Sequence, residues 1–461
     1  MIVYKFGGTS LADADRIRHA ADLVRRCPGE RVVVVSALGG VTDDLVELAD
    51  RVAAGGGTAA ELARLTEALW VRHEEAASGI VGEPAERAAL LGRIDGVFSR
   101  LPTALEGAAR GTEIAELGRA RDEISAIGED LSAQLMAAAL VQAGLAAEVV
   151  DARSVVRTDD RVGGAVPEDE ETARLIREVL GPLLEAGRVP VLQGFVGATE
   201  DGTTTTLGRG GSDFTAAIIG AALGAEEVGI WTDVDGVLSA EPRHVGAARV
   251  LAELGYEEAV ELAYFGAKVI HPAAAKHAAA GDVSLRVRNT GRPESAGTLI
   301  RHDVRRAAGV AAVAYKPSVT LVTVRSRPMF MAYGFLARVF DVLARHRLPV
   351  DLVATSHTST AFTLDARAGM GAAAEELGRF AEVEVVPDLA TVSVVGHGLL
   401  RRPGIAAGVF SALGATPVHL ISQASDVCLS FLVAEGQAPG VVRRLHAELI
   451  ESVPQDVGGA E

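Results

Sequence analysis

Six residues, Lys5-Phe6-Gly7-Gly8-Thr9-Ser10, follow the apolar stub Met1-Ile2-Val3-Tyr4 and put a cation, a glycine turn and two hydroxyls into one short stretch. Adjacent glycines let the backbone approach an anion closely, and the N–H groups of a helix starting there face it with favourable dipole charge. Lys5 is then placed to neutralise a transferred phosphoryl group. Ile17, Ala20, Ala21 and Val24 at helical spacing predict a helix downstream, with Thr9 or Ser10 as its N-cap. The same hexapeptide also serves as an ordinary strand–turn–helix start, so the rest of the chain has to decide.

A second reactive stretch is Gly194-Phe195-Val196-Gly197, followed by Thr203-Thr204-Thr205-Thr206-Leu207-Gly208-Arg209-Gly210-Gly211-Ser212-Asp213. Its glycines allow close backbone approach, and Arg209 offers a planar fork for a carboxylate or phosphate. Ser212-Asp213 opens the apolar helix Phe214 to Leu223. A third, Gly128-Glu129 with Ser132, sets a carboxylate at the head of the apolar helix Ala133 to Leu140, where it also reads as a solvated first-turn residue. Ile230-Trp231-Thr232-Asp233-Val234-Asp235-Gly236-Val237, Glu241-Pro242-Arg243 and Tyr264 to Pro272 complete the set. Lys5, Arg209, Arg243 and Lys268 are thus a local basic exception in a chain of net charge -17, a balance that argues against nucleic acid or an anionic membrane as partner.

The elements that must position these residues follow from periodicity. Through about residue 300, apolar strand-like runs alternate with amphipathic stretches, the pattern of an α/β sandwich around a mostly parallel sheet. Val32 to Val35 is a buried strand that runs into Ser36-Ala37-Leu38-Gly39-Gly40-Val41-Thr42, a loop at a strand's carboxyl end, where ligands of open α/β sheets sit. Residues 55–115 read as an inserted helical subdomain. With 461 residues the chain has room for about three domains, and an aromatic share of 4% leaves Ala, Val, Leu and Ile to build the interior. Cys27 and Cys428 are far apart and read as buried apolar residues, without a disulfide or a thiolate metal site. Phe214 to Ala225 is too short to span a bilayer, and the chain opens on a strand rather than a leader, so a cytoplasmic protein is expected.

No G-x-x-x-x-G-K-[ST] loop, no G-x-G-x-x-G opening a βαβ unit and no protein-kinase signature is present, so a different phosphoryl-transfer fold is required. Lys5 to Ser10, Ser36 to Thr42, Gly128-Glu129 with Ser132, Thr204 to Asp213, Trp231 to Gly236 and Phe265 to Pro272 resemble, in order and spacing, the aspartate kinases of the amino-acid kinase superfamily. The resemblance implies a three-layer α/β/α catalytic domain over residues 1–303 that transfers the γ-phosphoryl group of MgATP to the side-chain carboxylate of L-aspartate. It implies that Lys5 stabilises the transferring group, that Gly7 and Gly8 donate backbone N–H groups to it, and that Asp213 holds the lysine. Ser36 would line the reacting site. Thr42, Glu129, Arg209 and Ser212 would hold aspartate, with Arg209 on its α-carboxylate and Glu129 on its ammonium, while Phe195 closes the pocket. Thr232, Asp233, Arg243 and Lys268 match nucleotide-contacting positions, with Mg²⁺ carried by phosphates and water and no protein metal cage.

Beyond about residue 310, Phe340-Asp341-Val342-Leu343 and Phe410-Ser411-Ala412-Leu413 mark a repeat roughly 70 residues apart. Each unit reads as strand, helix, strand, strand, helix, strand and resembles the ACT domains that bind amino acids and pair between chains, at 310–386 and 387–461. A homodimer or homotetramer is expected. Met329, Phe335, Leu336, Val350, Asp351, Thr355 and Ser356 match effector positions of the lysine-sensitive, monofunctional type, making lysine the first choice of inhibitor and threonine the second. Met331-Ala332 and His357 depart from that pattern, Leu238 replaces an aromatic residue near the nucleotide, Glu241 replaces Asp, and the Thr-rich loop lacks a preceding basic residue. A related kinase of another amino acid and a catalytically silent amino-acid sensor are the alternative readings.

Overall fold

Valine-rich runs form the central strands because a parallel strand covered by helices on both faces must be apolar throughout. The computed structural model describes residues 1–452 apart from 57–58, 266–269, 305, 307, 326–332, 366–369 and 424. The chain divides into two compact units: Met1–Val237 with Ala252–Tyr256 and Val269–Val304, and Leu238–Leu251 with Glu257–Lys268 and Arg305–Glu461.

The first unit contains strands β1 (Ile2–Phe6), β2 (Arg31–Val35), β3 (Ala147–Val150), β4 (Val189–Gln193), β5 (Val196–Ala198), β6 (Thr204–Thr206), β7 (Glu227–Thr232), β8 (Glu253–Gly255), β9 (Ser284–Asn289) and β10 (Thr298–Arg301). Eight of them form one sheet in the order β3-β4-β2-β1-β7-β9-β10-β8, parallel except for the β9–β10 pair, while β5 and β6 form a separate antiparallel ribbon. Helices α1 (Ala14–Arg26), α2 (Val41–Ala53), α3 (Ala59–Ile80), α4 (Pro84–Phe98), α5 (Leu101–Arg110), α6 (Ile114–Gln142), α7 (Asp169–Glu185) and α8 (Gly211–Leu223) belong to this unit. Helix α9 (Tyr256–Phe265) lies almost entirely in the second unit, and α10 (Pro272–Ala280) returns to the first.

Three local expectations change. The turn after β1 is a 3₁₀ segment, Gly8–Leu11, so the N-cap of α1 is Asp13, whose carboxylate accepts from Arg16 N–H at 2.9 Å. Ser10 is buried instead, with its Oγ 2.6 Å from Thr290 Oγ1. The described part of 55–115 packs into the core of the first unit: Leu69, Ala77, Leu90 and Ile94 share one hydrophobic cluster with Tyr4, Phe6 and Val33. Finally, Glu129 lies in the middle of α6 rather than at a helix head. Length and composition would let α6 cross a membrane, but 89% of its apolar window is buried within the protein, as a core helix requires. Cys428 is buried as expected, whereas Cys27 is only partly so.

The second unit is built on β11 (Gly309–Arg325) and β14 (Glu382–His397), two long strands that run antiparallel along each other. With β12 (Val353–Thr355), β13 (Ser359–Leu364), β15 (Leu420–Ser422) and β16 (Cys428–Ala434) they form one sheet, β12-β13-β11-β14-β16-β15, accompanied by α11 (Phe335–Arg345), α12 (Met370–Gly378), α13 (Ile405–Leu413) and α14 (Ala438–His446). The two halves of β11 serve different cores. Val313 packs with Val392, Phe431 and Leu445, whereas Val322 and Val324 pack with Val339, Phe362 and Leu377. Register shifts between Lys316 and Leu321, opposite a positive-φ Asp388, separate the halves.

Helix α6 approaches the loop after β2 so closely that a Cβ on Gly128 would lie 2.8 Å from the Ala37 Cβ. Gly128→Ala is therefore expected to overpack this contact and to destabilise the protein by about 1–3 kcal/mol, read as a lowered thermal midpoint. An unchanged midpoint would mean that α6 can move away freely.

Candidate active site

The parallel sheet brings its chemistry to one edge. Strand β1 lies between β2 and β7, with Lys5 in register with Val34 and Ile230, so the chain leaves all three strands at their carboxyl ends side by side. Gly7 donates its N–H to Trp231 O at 3.0 Å, which ties the glycine turn to the end of β7. That amide is thereby committed, so Gly7 seats the turn rather than donating to an anion. Gly8 opens the 3₁₀ segment against Gly39.

Lys5 Nζ lies 2.7 Å from Asp213 Oδ1, and both side chains are 11% exposed. Asp213 sits in the first turn of α8, where the positive helix end favours a carboxylate. The contact is ionic without hydrogen-bond alignment, since Asp213 Oδ1 is a buried oxygen with no aligned donor. Ser36, at the end of β2, donates through its Oγ to Ser212 Oγ at 2.9 Å. A side chain on Gly194 would strike Ser212, 2.5 Å from its Cβ, so the end of β4 can meet α8 only through glycine. Phe195 follows with φ 70°, a left-handed conformation held by its N–H bond to Thr215 Oγ1 at 3.0 Å and by Leu207 N–H on its carbonyl at 2.8 Å.

These residues line one cavity of about 950 Å³ that gathers Lys5, Ser36, Thr42, Glu129, Phe195, Arg209, Ser212 and Asp213. Glu129 is buried. Its Oε1 accepts from Ala37 N–H at 3.2 Å, while Oε2 has no partner among the described residues. Burial pushes its carboxyl up to about 8, against the opposing pull of the Ala37 bond, and the nearby Asp130 charge adds to the rise. Arg209 is exposed at the cavity and has no ion pair or hydrogen bond among the described residues. The cavity therefore combines an unpartnered carboxylate oxygen, an uncommitted guanidinium and a lysine held by an aspartate. Such a set can receive an ammonium, a carboxylate and a phosphoryl group.

Two cavity residues escape a reading of motifs. Asp122 accepts from Thr206 Oγ1 at 2.7 Å and Gly163 N–H at 3.0 Å, and burial raises its carboxyl above the ordinary range. Ser125 lies one turn further along α6. The signal for them is the spacing Asp122, Ser125, Glu129, Ser132, which puts buried polar residues at helical intervals along α6.

Of the nucleotide positions, Thr232 ends β7 next to the glycine turn, and its Oγ1 donates to Asp233 Oδ1 at 3.2 Å. Asn289 Nδ2 donates to Asp235 Oδ1 at 2.7 Å and braces this segment from β9. Arg243 belongs to the second unit, exposed and 2.9 Å from Glu241. Lys268 lies outside the described residues, as do Met329, Met331 and Ala332. Among the effector positions, Phe335 is a core residue, 6.1 Å from the Phe380 ring, and Leu336 is exposed. Val350 is partly buried against that core. The Asp351 side chain is 5% exposed and pairs with Lys316 Nζ at 3.0 Å, and its carboxyl is pushed up to about 7 by burial and by Asp365. Thr355 and Ser356 are exposed beside Ser359.

The amino acid kinase family model matches residues 1–289, and an ACT-domain model matches residues 392–449. The chain is 36% identical to the lysine-sensitive aspartokinase 3 of Escherichia coli, over 98% of this chain and 99% of that one. It is 34% identical to the chloroplastic aspartokinase 1 of Arabidopsis thaliana, over 98% of this chain and 80% of that one. The chain belongs to the aspartokinases. The crystal structure of E. coli aspartokinase III with aspartate and ADP superposes with a TM-score of 0.85 over 97% of this chain and 99% of that one, at 36% identity. The form of the same E. coli enzyme with lysine and aspartate gives 0.78 over 98% and 99%. Aspartokinases are carboxyl-group kinases with ATP as co-substrate, and the first unit has their fold.

Lys5 is a cation in the lining of this cavity, held by Asp213, and Lys5→Ala is expected to lower turnover by at least about 10²-fold, as loss of one preorganised transition-state donor does. Its fold should persist by circular dichroism. Near-wild-type turnover would remove Lys5 from the reaction.

Proposed function

We propose that the chain phosphorylates the side-chain carboxylate of L-aspartate from MgATP, giving 4-phospho-L-aspartate, with the cavity of the first unit as its active site. The buried, unpartnered Oε2 of Glu129 carries this reading. A buried polar oxygen without a donor costs free energy, and the ammonium of an amino acid supplies the missing partner and draws the carboxyl into its ionised form. Arg209 then forks the α-carboxylate, and Thr42 and Ser212 complete the amino-acid end with Phe195 as its cover.

Lys5, held by Asp213, neutralises the equatorial oxygens of the γ-phosphoryl group as it moves to the β-carboxylate. Ser36 lines that path. Phosphoryl transfer needs position and charge stabilisation rather than a protein nucleophile, which this residue set supplies. Gly8, Thr232 and Asp233 are assigned to the nucleotide, and Mg²⁺ arrives as MgATP.

We assign residues 1–303 to catalysis and the modules at 310–386 and 387–461, which share β11, to regulation. L-lysine is the proposed effector, at Met329, Phe335, Leu336, Val350, Asp351, Thr355 and Ser356. The E. coli relative with bound lysine supports that choice. A homodimer or homotetramer joined through the ACT modules, in the cytoplasm, is the proposed setting. An effector that favours an inactive state must lower substrate affinity by the same coupling with which substrate lowers its own.

Purified protein with MgATP, L-aspartate and hydroxylamine is expected to form aspartyl hydroxamate, and L-lysine to suppress it. No hydroxamate from a folded protein would overturn the substrate assignment, and hydroxamate insensitive to lysine would overturn the effector. The site also makes a pH prediction. Because the ammonium of aspartate requires ionised Glu129, KM for aspartate should rise by up to about tenfold per unit as pH falls below about 8. Glu129→Gln should bind aspartate more weakly and lose that dependence; a variant with the wild-type pH profile would exclude Glu129 as the ammonium partner.

A further inference from the structure

Glu129 and Asp130 are consecutive on α6 and both buried, yet they line different cavities. Glu129 lines the active-site cavity, and Asp130 lines another of about 790 Å³ bounded by α4, α6 and β3. The Asp130 carboxylate accepts from Arg100 Nη1 at 2.7 Å, from Arg153 Nη1 and Nη2 at 3.0 and 3.1 Å, and from Gln193 Nε2 at 3.0 Å. Its side chain is 4% exposed. Four donors on one buried carboxylate fix it from several directions, because removing any of them leaves charge or hydrogen-bonding capacity unmatched away from water.

Each donor is anchored in turn. Gln193 Oε1 accepts from Ala152 N–H at 2.8 Å, Arg153 Nε donates to Thr204 Oγ1 at 3.0 Å, and Arg100 Nη2 donates to Glu123 at 2.5 Å. These anchors sit just before the residues assigned to the amino-acid end of the substrate. Gln193 ends β4 and leads directly into Gly194-Phe195. Thr204 begins β6, which delivers Leu207, Gly208 and Arg209. Glu123 and Asp130 bracket Ser125 and Glu129 on α6. Strand β1, with Lys5, takes no part in the network.

We propose that Asp130 is a positioning residue for the amino-acid substrate, clamping α6, β4 and β6 together so that Glu129, Phe195 and Arg209 converge on the aspartate backbone. This inference rests on the assignment of that cavity to L-aspartate. It predicts a selective effect: the amino-acid end of the site loosens, while the Lys5–Asp213 pair and the nucleotide positions on β7 stay in place. A misplacement of about 1 Å at a substrate-positioning group is enough to cost one to two orders of magnitude.

The test is steady-state kinetics of the full-length protein with L-aspartate and MgATP varied separately, together with calorimetric binding of L-aspartate. Asp130→Asn keeps the volume but turns an N–H₂ group towards donors. Arg153→Lys keeps the charge and loses the paired contact, and serves if Asp130→Asn does not fold. Either variant is expected to raise KM and the dissociation constant for L-aspartate by about tenfold, with KM for MgATP within about twofold of wild type. Asp130→Glu, which restores the charge, should recover part of the loss. Folded variants with wild-type aspartate affinity, or with both KM values raised equally, would overturn the positioning role. Failure of the wild-type protein itself to bind L-aspartate would instead overturn the assignment of the cavity and the proposal with it.

Discussion

Lys5 and Asp213 meet at 2.7 Å with little exposure, and the proposed active site of the first unit is organised around that contact. Burying two charges is costly, and the attraction between them repays the cost only where geometry and the remaining polar contacts are good. The two residues come from elements that share no local sequence: a central strand of the sheet and the first turn of a helix more than two hundred positions later. Their meeting requires β1 to lie between β2 and β7 in one register. It also requires the end of β4 to approach α8, which Gly194 permits by having no side chain against Ser212. An alternative register would strand a buried ammonium or carboxylate, so the ion pair selects among arrangements of the sheet more than it adds net stability.

Helix α6 plays the complementary part. Its apolar sides fill the core beside α1, α2, α4 and α5, and one stripe of buried polar groups, Asp122, Ser125, Glu129 and Ser132, passes through that apolar setting. Glu129 keeps one oxygen unmatched, while Asp130 beside it is matched four times over. On the proposed assignments, the contrast separates a group held ready for a ligand from one that holds structure. Burial pushes the Glu129 carboxyl up, and the neighbouring Asp130 charge adds a smaller part of that rise.

In the second unit the corresponding constraint is a shared strand. Because β11 serves one core with Val313 and another with Val322 and Val324, the two modules are joined through one strand that runs on past the register shifts between them. Lys316 lies at the register shift between the halves, paired with Asp351 and Asp365 and 4.4 Å from the Tyr264 ring centroid on α9. Charge, ring and strand thus link the proposed effector segment to a helix outside the repeat.

Local patterns in the sequence determined a good deal of this protein. The glycine turn after an apolar strand, the valine run into Ser36, the threonine–glycine loop around Arg209 and the repeat beyond residue 310 each follow from short-range rules of backbone freedom and hydrophobic period, and each has its element in the structure. Where a helix begins was less legible: Thr9 and Ser10 are as suitable for capping as Asp13, and a buried contact between Ser10 and Thr290, distant in sequence, decided between them. The helices of residues 55–115 read as a separate subdomain because amphipathic period reveals that a face is buried but not against what. Glu129 reads both as a substrate ligand and as a solvated helix start for the same reason. Only tertiary structure placed it within α6, pressed by Gly128 against Ala37, and only tertiary structure gave Asp130 its partners from positions 100, 153 and 193. Hydrogen bonds and desolvation depend on which atoms meet in space, and no period in the chain encodes contacts made across the fold.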